Sequence, residues 1–437
     1  MVVYTPDITP RIAYIFRILL PAIGIQNFYF AKSKEAYLEE SGAAINYSAS
    51  SIKEKELHIV PGRLLLEDDI REQEIHVFPS AIGYPGFYAT SGDIDFDVFA
   101  ASFYLITRYE EYLPHQKDQY GRFDHKESLA FRNGFLQQPM VNLWLLILKR
   151  QLLNIYPSLE LNPPSFRLVP TYDVDIAYDY KGKGLIRNAV GAVRDILSAK
   201  LNHLSSRTAT SLGRKKDPFD VFDWLHTLNS KTSEEAIYFI LAAAKRSLYD
   251  KNISPESPVI KDLLRYLSSS AIIGLHPSWQ SNNDMQLLKE EKSAVEKAVE
   301  KSIQKSRQHY LVFRLPETFE KLIELDIQDE YSMGYGTING FRASFCLPYP
   351  WFNLKQNTTT ALMLHPFCFM DANAIFEEKL TPDEAIEQLR NYLQVCKMVN
   401  GEMVVIFHNH FLSEKAEWKK WRRVPEVIYQ GTITDFI

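Results

Sequence analysis

Beyond residue 165 short apolar runs alternate with longer amphipathic segments, and this alternation limits the fold more than any other feature of the chain. The run Phe166, Leu168, Val169 reads as a strand that closes in Thr171-Tyr172-Asp173-Val174-Asp175. Ala236–Leu241 and Ala271–Leu275 read as strands on either side of a helix at Pro258–Leu267. A charged helix from about Asp284 to Ser306 follows, then a strand at Tyr310–Phe313 and a helix at Glu317–Leu325. Ala361–Leu364 reads as a strand, Pro382–Met398 as a helix and Met403–Phe407 as a last apolar strand. Such an order indicates parallel strands joined by crossover helices. Six or seven units predict an α/β fold, a distorted (β/α) barrel of about seven strands or a partly open one.

The first 161 residues have a different texture. Short apolar segments mix with turn clusters such as Gly83-Tyr84-Pro85-Gly86, and helices are expected at Val98–Tyr112 and Val141–Leu153. Asn162-Pro163-Pro164-Ser165 favours extended chain and marks the expected boundary. The predicted organisation is therefore a smaller α/β or α+β domain over 1–161 and a barrel over 165–437.

Composition narrows the partners. With 46% hydrophobic and 24% charged residues, core material is ample. The 49 Lys and Arg against 54 Asp and Glu leave a net charge of −5, which argues against whole-surface nucleic-acid binding. Cys346, Cys368 and Cys396 are too far apart for a CxxC pair and fit reduced core thiols. No run approaches the roughly 18 apolar residues of a membrane span. The first 30 residues lack a basic flank and are interrupted by Asp7, Arg11 and Arg17, so a cytoplasmic protein is expected. Lys181 to Lys216 breaks the charge pattern, with nine Lys or Arg and one acid, Asp195, a local +8. Leu185, Ile186, Ala189, Val190, Val193, Ile196 and Leu197 fall there on one helical face, which reads either as peripheral membrane contact or as a lid with a solvated basic face.

Polar residues recur where the strands end. Asp173 and Asp175, His276, Arg314, His365 and His408 each follow an apolar run, the position from which a parallel barrel presents its catalytic groups. At period 2, Asp173 and Asp175 lie on one side of an extended backbone. Two adjacent carboxylates repel unless a cation or proton sits between them. An Asp-x-Asp alone is also common in turns and helix N-caps. Together with several His the pair suits a zinc-like divalent ion.

The series Thr171–Asp175, Gly274-Leu275-His276-Pro277-Ser278, Gly340-Phe341-Arg342-Ala343 and Phe407-His408-Asn409 resembles the ordered motifs of polysaccharide deacetylases, carbohydrate esterase family 4 with its NodB homology domain. Phe103–Tyr112 and Gly121-Arg122-Phe123 resemble the region that precedes this domain in a bacterial subgroup. The resemblance implies Asp173 as the base that activates water, Asp175 and His276 as metal ligands, Arg342 as the residue orienting the base, and His408 as the acid that protonates the leaving group. It also implies a divalent metal, zinc in the first instance, and an acetylated glycan as substrate. Gln280 stands where the family has its second metal His, so His309 and His365 are the candidates for a third ligand. The expected activity is metal-dependent hydrolysis of N- or O-acetyl groups. A catalytically silent barrel that binds a carbohydrate or a protein is the alternative, and a glycosidase would need a second carboxylate that nothing marks. His410 is assigned to strand alternation, Trp418 and Trp421 to packing under a C-terminal helix, and His58, His76, His115 and His125 to no site.

Overall fold

The computed structural model describes residues 1–184 and 201–430. The apolar face expected from Leu185 to Leu197 lies outside the described residues. Near the N-terminus, β1 (Val2–Tyr4), β2 (Tyr29–Phe30), β3 (Ala44–Tyr47) and β4 (Leu57–Ile59) form a parallel sheet in the order β2-β1-β3-β4. A short hairpin of β5 (Phe78–Pro79) and β6 (Pro85–Gly86) follows. The helix Pro10–Ala22 begins because Thr9 accepts from Ile12 N–H and Pro10 fixes the first turn. The helix at Val98–Ile106 is capped by Asp97 and buried on every side. It is shorter than the expected Val98–Tyr112, because Arg108 takes a left-handed turn (φ 57°) before a 3-10 turn at Tyr109–Tyr112.

The second sheet has nine strands: β7 (Arg167–Val174), β8 (Ile237–Leu241), β9 (Ile272–His276), β10 (Lys305–Ser306), β11 (Asp329–Glu330), β12 (Tyr349–Asn353), β13 (Thr358–Leu364), β14 (Phe367–Met370) and β15 (Glu402–His408). Their order is β12-β13-β11-β10-β9-β8-β7-β15-β14. Every neighbouring pair is parallel except the hairpin β12–β13. Val169, Ile237, Phe239, Val404 and Ile406, alternate residues on three adjacent strands, form a small core with Phe367 and Tyr331, separate from the main one. The sheet stays open between its edge strands β12 and β14, the partly open one of the two expected forms. One backbone bond, Phe367 N–H to Met333 O at 3.2 Å, reaches from β14 to the chain beyond β11, and no strand ladder forms there.

Two expected elements differ. The charged helix stops at Val299, where Glu300 turns left-handed, and does not run to Ser306. The strand expected at Tyr310–Phe313 is a 3-10 turn over His309–Leu311, and the strand of that unit is the polar pair Lys305–Ser306. Its polarity hid it, since those residues serve side-chain networks in place of an apolar core.

The N-terminal region is tied to the large sheet by buried polar bonds. Tyr14 Oη donates to Pro350 O at 2.9 Å, and Arg11 Nε to Asn357 Oδ1 at 3.1 Å. Glu111 takes a fork from Arg342, Nε to Oε1 at 2.8 Å and Nη2 to Oε2 at 2.6 Å, and also accepts from Arg108 Nε at 2.7 Å. Burial alone raises the Glu111 carboxyl, but Arg342 and Arg108 reverse that and hold it at about 2 against an ordinary 4.5. A depressed carboxylate contributes stability that is complete above about pH 4.5 and lost as pH falls through about 2. Glu111→Ala leaves the buried Arg342 without a carboxylate and Arg108 with Glu110 alone, and should cost about 3–5 kcal/mol, read as a lower denaturant midpoint, with an acid limb of unfolding that shrinks in the variant.

Candidate metal centre

The register brings four strand ends level. Asp173 pairs with His408 on one side and Phe239 on the other, Phe239 with Gly274, and Leu241 with His276. Gly274 is required here, since a Cβ would sit 2.5 Å from the Phe239 ring. Above these ends opens a cavity of about 360 Å³ lined by Asp173, Asp175, His276, His309, His408 and His410 among others. That volume is within the roughly 300–1,000 Å³ typical of small-molecule sites.

Asp175, His276 and His309 offer ligand atoms that all lie within 4.8 Å of one another. Asp175 Oδ1 is 3.3 Å from His276 Nε2, and Oδ2 is 3.7 Å from His309 Nε2. The other nitrogen of each ring is already committed: His276 Nδ1 to Arg307 O, and His309 Nδ1 to Asp250 Oδ1 at 3.0 Å. With Nδ1 committed, each ring presents Nε2 toward Asp175, the usual arrangement of metal-bound histidine. Asp175 Oδ1 is buried without a hydrogen-bond donor. An orphaned carboxylate oxygen between two imidazoles fits a divalent ion with open positions.

Charge in the site is coupled. Burial raises the Asp175 carboxyl, yet His309 and His276 draw it well below the carboxylate range. Burial also opposes charge on His309, but Asp175 and Asp250 outweigh it and lift the ring to about 9. Asp250 is held at about 2, its burial offset by bonds from His309 and Trp279 N–H. His408 donates from Nδ1 to Asp371 Oδ1 at 2.6 Å, while Asp371 Oδ2 accepts from the His408 backbone at 2.7 Å. Against the penalty of burial, Asp371 and then Asp175 and Asp173 raise His408 to about 9. His410 lies in a 3-10 turn and also lines the cavity, where burial and then His408 push it down to about 3.

Of the two candidates for a third ligand, His309 is at the site and His365 is not. His365 is held by Asp329 at 2.8 Å and by Glu402 at 3.0 Å, and Glu402 lies level with Arg167 at the far end of β7. Arg342 is likewise elsewhere, because it is spent on Glu111 and on Gly334 O. The arginine on Asp173 is Arg307, whose Nη1 donates to Asp173 Oδ1 and to Thr171 Oγ1, each at 2.8 Å. Gln280 points away from the ligand atoms and donates to Asp250 Oδ2 at 3.2 Å. Arg314 is exposed. Trp421 is buried before the helix Arg423–Gln430, and Trp418 packs on Phe411. His58, His115 and His125 bond to Ser48 O, Leu113 O and Thr337 Oγ1, and exposed His76 pairs with Glu74.

Arg307, Asp250 and Asp371 were not legible as site residues. Arg307 follows the two-residue strand β10, Asp371 follows the unread strand β14, and Asp250 sits in a loop.

Residues 1–157 match DUF7033, a family of unknown function. No curated protein matches the chain. Among solved structures, the chain is similar to a protein assigned as a polysaccharide deacetylase from Mycobacterium smegmatis, at 12% identity and a TM-score of 0.38, over 61% of this chain and 85% of that one. It is also similar to the PuuE allantoinase, at 12% identity and a TM-score of 0.37, over 61% and 88%. A polysaccharide deacetylase from Bacillus cereus matches at 11% identity and a TM-score of 0.29, over 62% and 89%.

Asp250→Asn should leave the fold intact and weaken zinc binding about 10–100-fold, the usual effect of losing the carboxylate behind a ligand histidine. Gln280→His should bring no gain, since its side chain faces Asp250. Titration against a competing chelator reads both, and a tighter Gln280→His variant would mean that position 280 can reach the ion after all.

Proposed function

We propose that the chain hydrolyses N- or O-acetyl groups on a glycan or glycan precursor. What carries this reading is the meeting, at one cavity, of a three-residue donor group, a carboxylate fixed by an arginine and a histidine fixed by a carboxylate. Asp175, His276 and His309 would hold a divalent ion of the zinc type. When bound, such an ion supplies a polarised acyl carbonyl and a water of lowered pKa.

The chain's own residues supply the proton transfers. Asp173 offers Oδ2 while Arg307 grips Oδ1, so one oxygen is fixed and the other is free to accept a proton from water. Oδ2 lies 3.9 Å from His276 Nε2, which places the base beside the donor group. His408 Nε2 is 3.7 Å from Asp175 Oδ2, and Asp371 on the opposite nitrogen sets its orientation and stabilises its charged form. A ring charged up to about pH 9 can deliver a proton to a departing amine or alcohol. A carboxylate and a charged histidine, level on neighbouring strands at one cavity, suit hydrolysis, in which one proton is removed and another delivered.

Asp173→Asn should reduce acetate release from acetylated sugars by about 10²–10⁴-fold while one metal ion per chain is retained. Asp175→Asn should lose both, and equal residual activity in the two variants would refute the division of roles. The alkaline limb of the pH profile should fall near 9, and Asp371→Asn, by removing the main support of the His408 charge, should move that limb to lower pH. If the wild-type chain binds no divalent ion at all, the catalytically silent alternative replaces this reading.

A further inference from the structure

The cavity wall beside His309 is built by two regions of the chain. Tyr120 and Arg122 come from the N-terminal region, in a loop closed by the bridge Lys117↔Phe123, yet both line the cavity that holds Asp175 and His276. Arg122 is buried and acts as a strut. Its Nε is bound to Asp118 Oδ2 at 2.7 Å, and its Nη1 donates to Tyr310 O at 2.6 Å. Tyr310 directly follows His309 and is left-handed at φ 56°, as is Leu311 at φ 54°. Two successive bulky residues in that region are costly and persist only where neighbours hold them. Gly336 leaves the room for the strut, since a Cβ there would stand 2.0 Å from Arg122 Nη1.

Behind the strut stands an aromatic group. Tyr120 meets Tyr310 at 5.3 Å between ring centroids, and Tyr249 stacks on Trp279 at 4.1 Å. Tyr120, Tyr249 and Tyr310 are each partly exposed and line the cavity. Nearby, Asn373 is fully buried and lines the same cavity. It spends Nδ2 on Tyr335 O at 2.8 Å, and its Oδ1 has no donor in the protein. A flat apolar face with hydroxyl tips, and a buried acceptor without a donor, match a pyranose ring with its C–H face and its hydroxyls.

We propose that Tyr120 is a specificity-determining residue that stacks on a sugar ring of the substrate, and that Arg122 positions it while pinning the turn that follows His309. The N-terminal region is then part of the binding site. This rests on the glycan-acetyl reading above for the class of substrate, but not on turnover, because ring stacking is measured by binding.

The test uses the full chain, the tetramer of β-1,4-linked N-acetylglucosamine as probe, and intrinsic tryptophan fluorescence, since Trp279 lies against Tyr249. Tyr120→Ala should weaken binding about tenfold, the scale of one lost aromatic contact, and Tyr120→Phe should retain it. Gly336→Ala should weaken binding through the displaced strut. Metal content should stay unchanged in both Tyr120 variants, which separates lost stacking from a collapsed site. Wild-type binding without acetate release would overturn the hydrolase reading and leave this one standing. Acetate release with unchanged affinity in Tyr120→Ala would do the reverse. Failure of the wild type to bind the probe would overturn the stacking proposal.

Discussion

Arg307 is the interaction on which the site depends. It is fully buried, yet its guanidinium reaches three strands' worth of partners: Thr171 and Asp173 on β7, Tyr331 O beyond β11, and the Phe239 ring on β8 at 4.3 Å. Its own carbonyl holds the His276 ring from β9. A buried guanidinium needs its charge balanced, and Asp173 supplies the balance, while Nη2 finds no acceptor in the protein. The residue therefore fixes Asp173, the His276 ring and the spacing of the inner face at once. Glu330, pushed up to about 7 by burial and bound to Ser306 and Ser332, lies beside this group and adds to a polar interior where a barrel of this kind would be expected to carry aliphatic side chains.

How much of this could be read from residues follows from where each one sits. Strands β7, β8, β9 and β15 are apolar runs of ordinary length, and their ends and the site residues on them, Asp173, Asp175, His276 and His408, were legible together. The helix Pro382–Met398 was legible to the residue, because Thr381, Pro382 and Glu384 make a capping box. Strand β10 was not, since two polar residues carry no periodicity. Missing it displaced the neighbouring helix end and strand and hid Arg307. The count of units left a closed and a partly open barrel both possible, and it could not show that the edge strands β12 and β14 form no ladder with each other.

His309 joins Asp175 and His276 from outside any motif spacing. Gln280 stands four residues after His276, and its amide supports Asp250, the carboxylate behind His309. His309 comes from the segment after β10, just before a left-handed turn. Atoms meet by the space they occupy, and motif spacing records only one way of filling it. Arg342 makes the converse point: it lies in a motif-like stretch but serves as a buried anchor for Glu111.

An open sheet has two rims, and rims of unpaired peptide groups invite pairing with other chains. The β14 rim is occupied from within, by Gly340 N–H on Cys368 O and by Asn339 Oδ1 taking the Met370 N–H. Among the described residues the β12 rim has no such internal partner, and what lies against it is the helix Pro10–Ala22, through the Tyr14 hydroxyl on Pro350 O and the Tyr14 ring on Phe352. The first helix of the chain thus does for this edge what a chaperone does in trans: a chain trimmed back to its larger sheet would carry a bare template for intermolecular strand addition, and its solubility would fail.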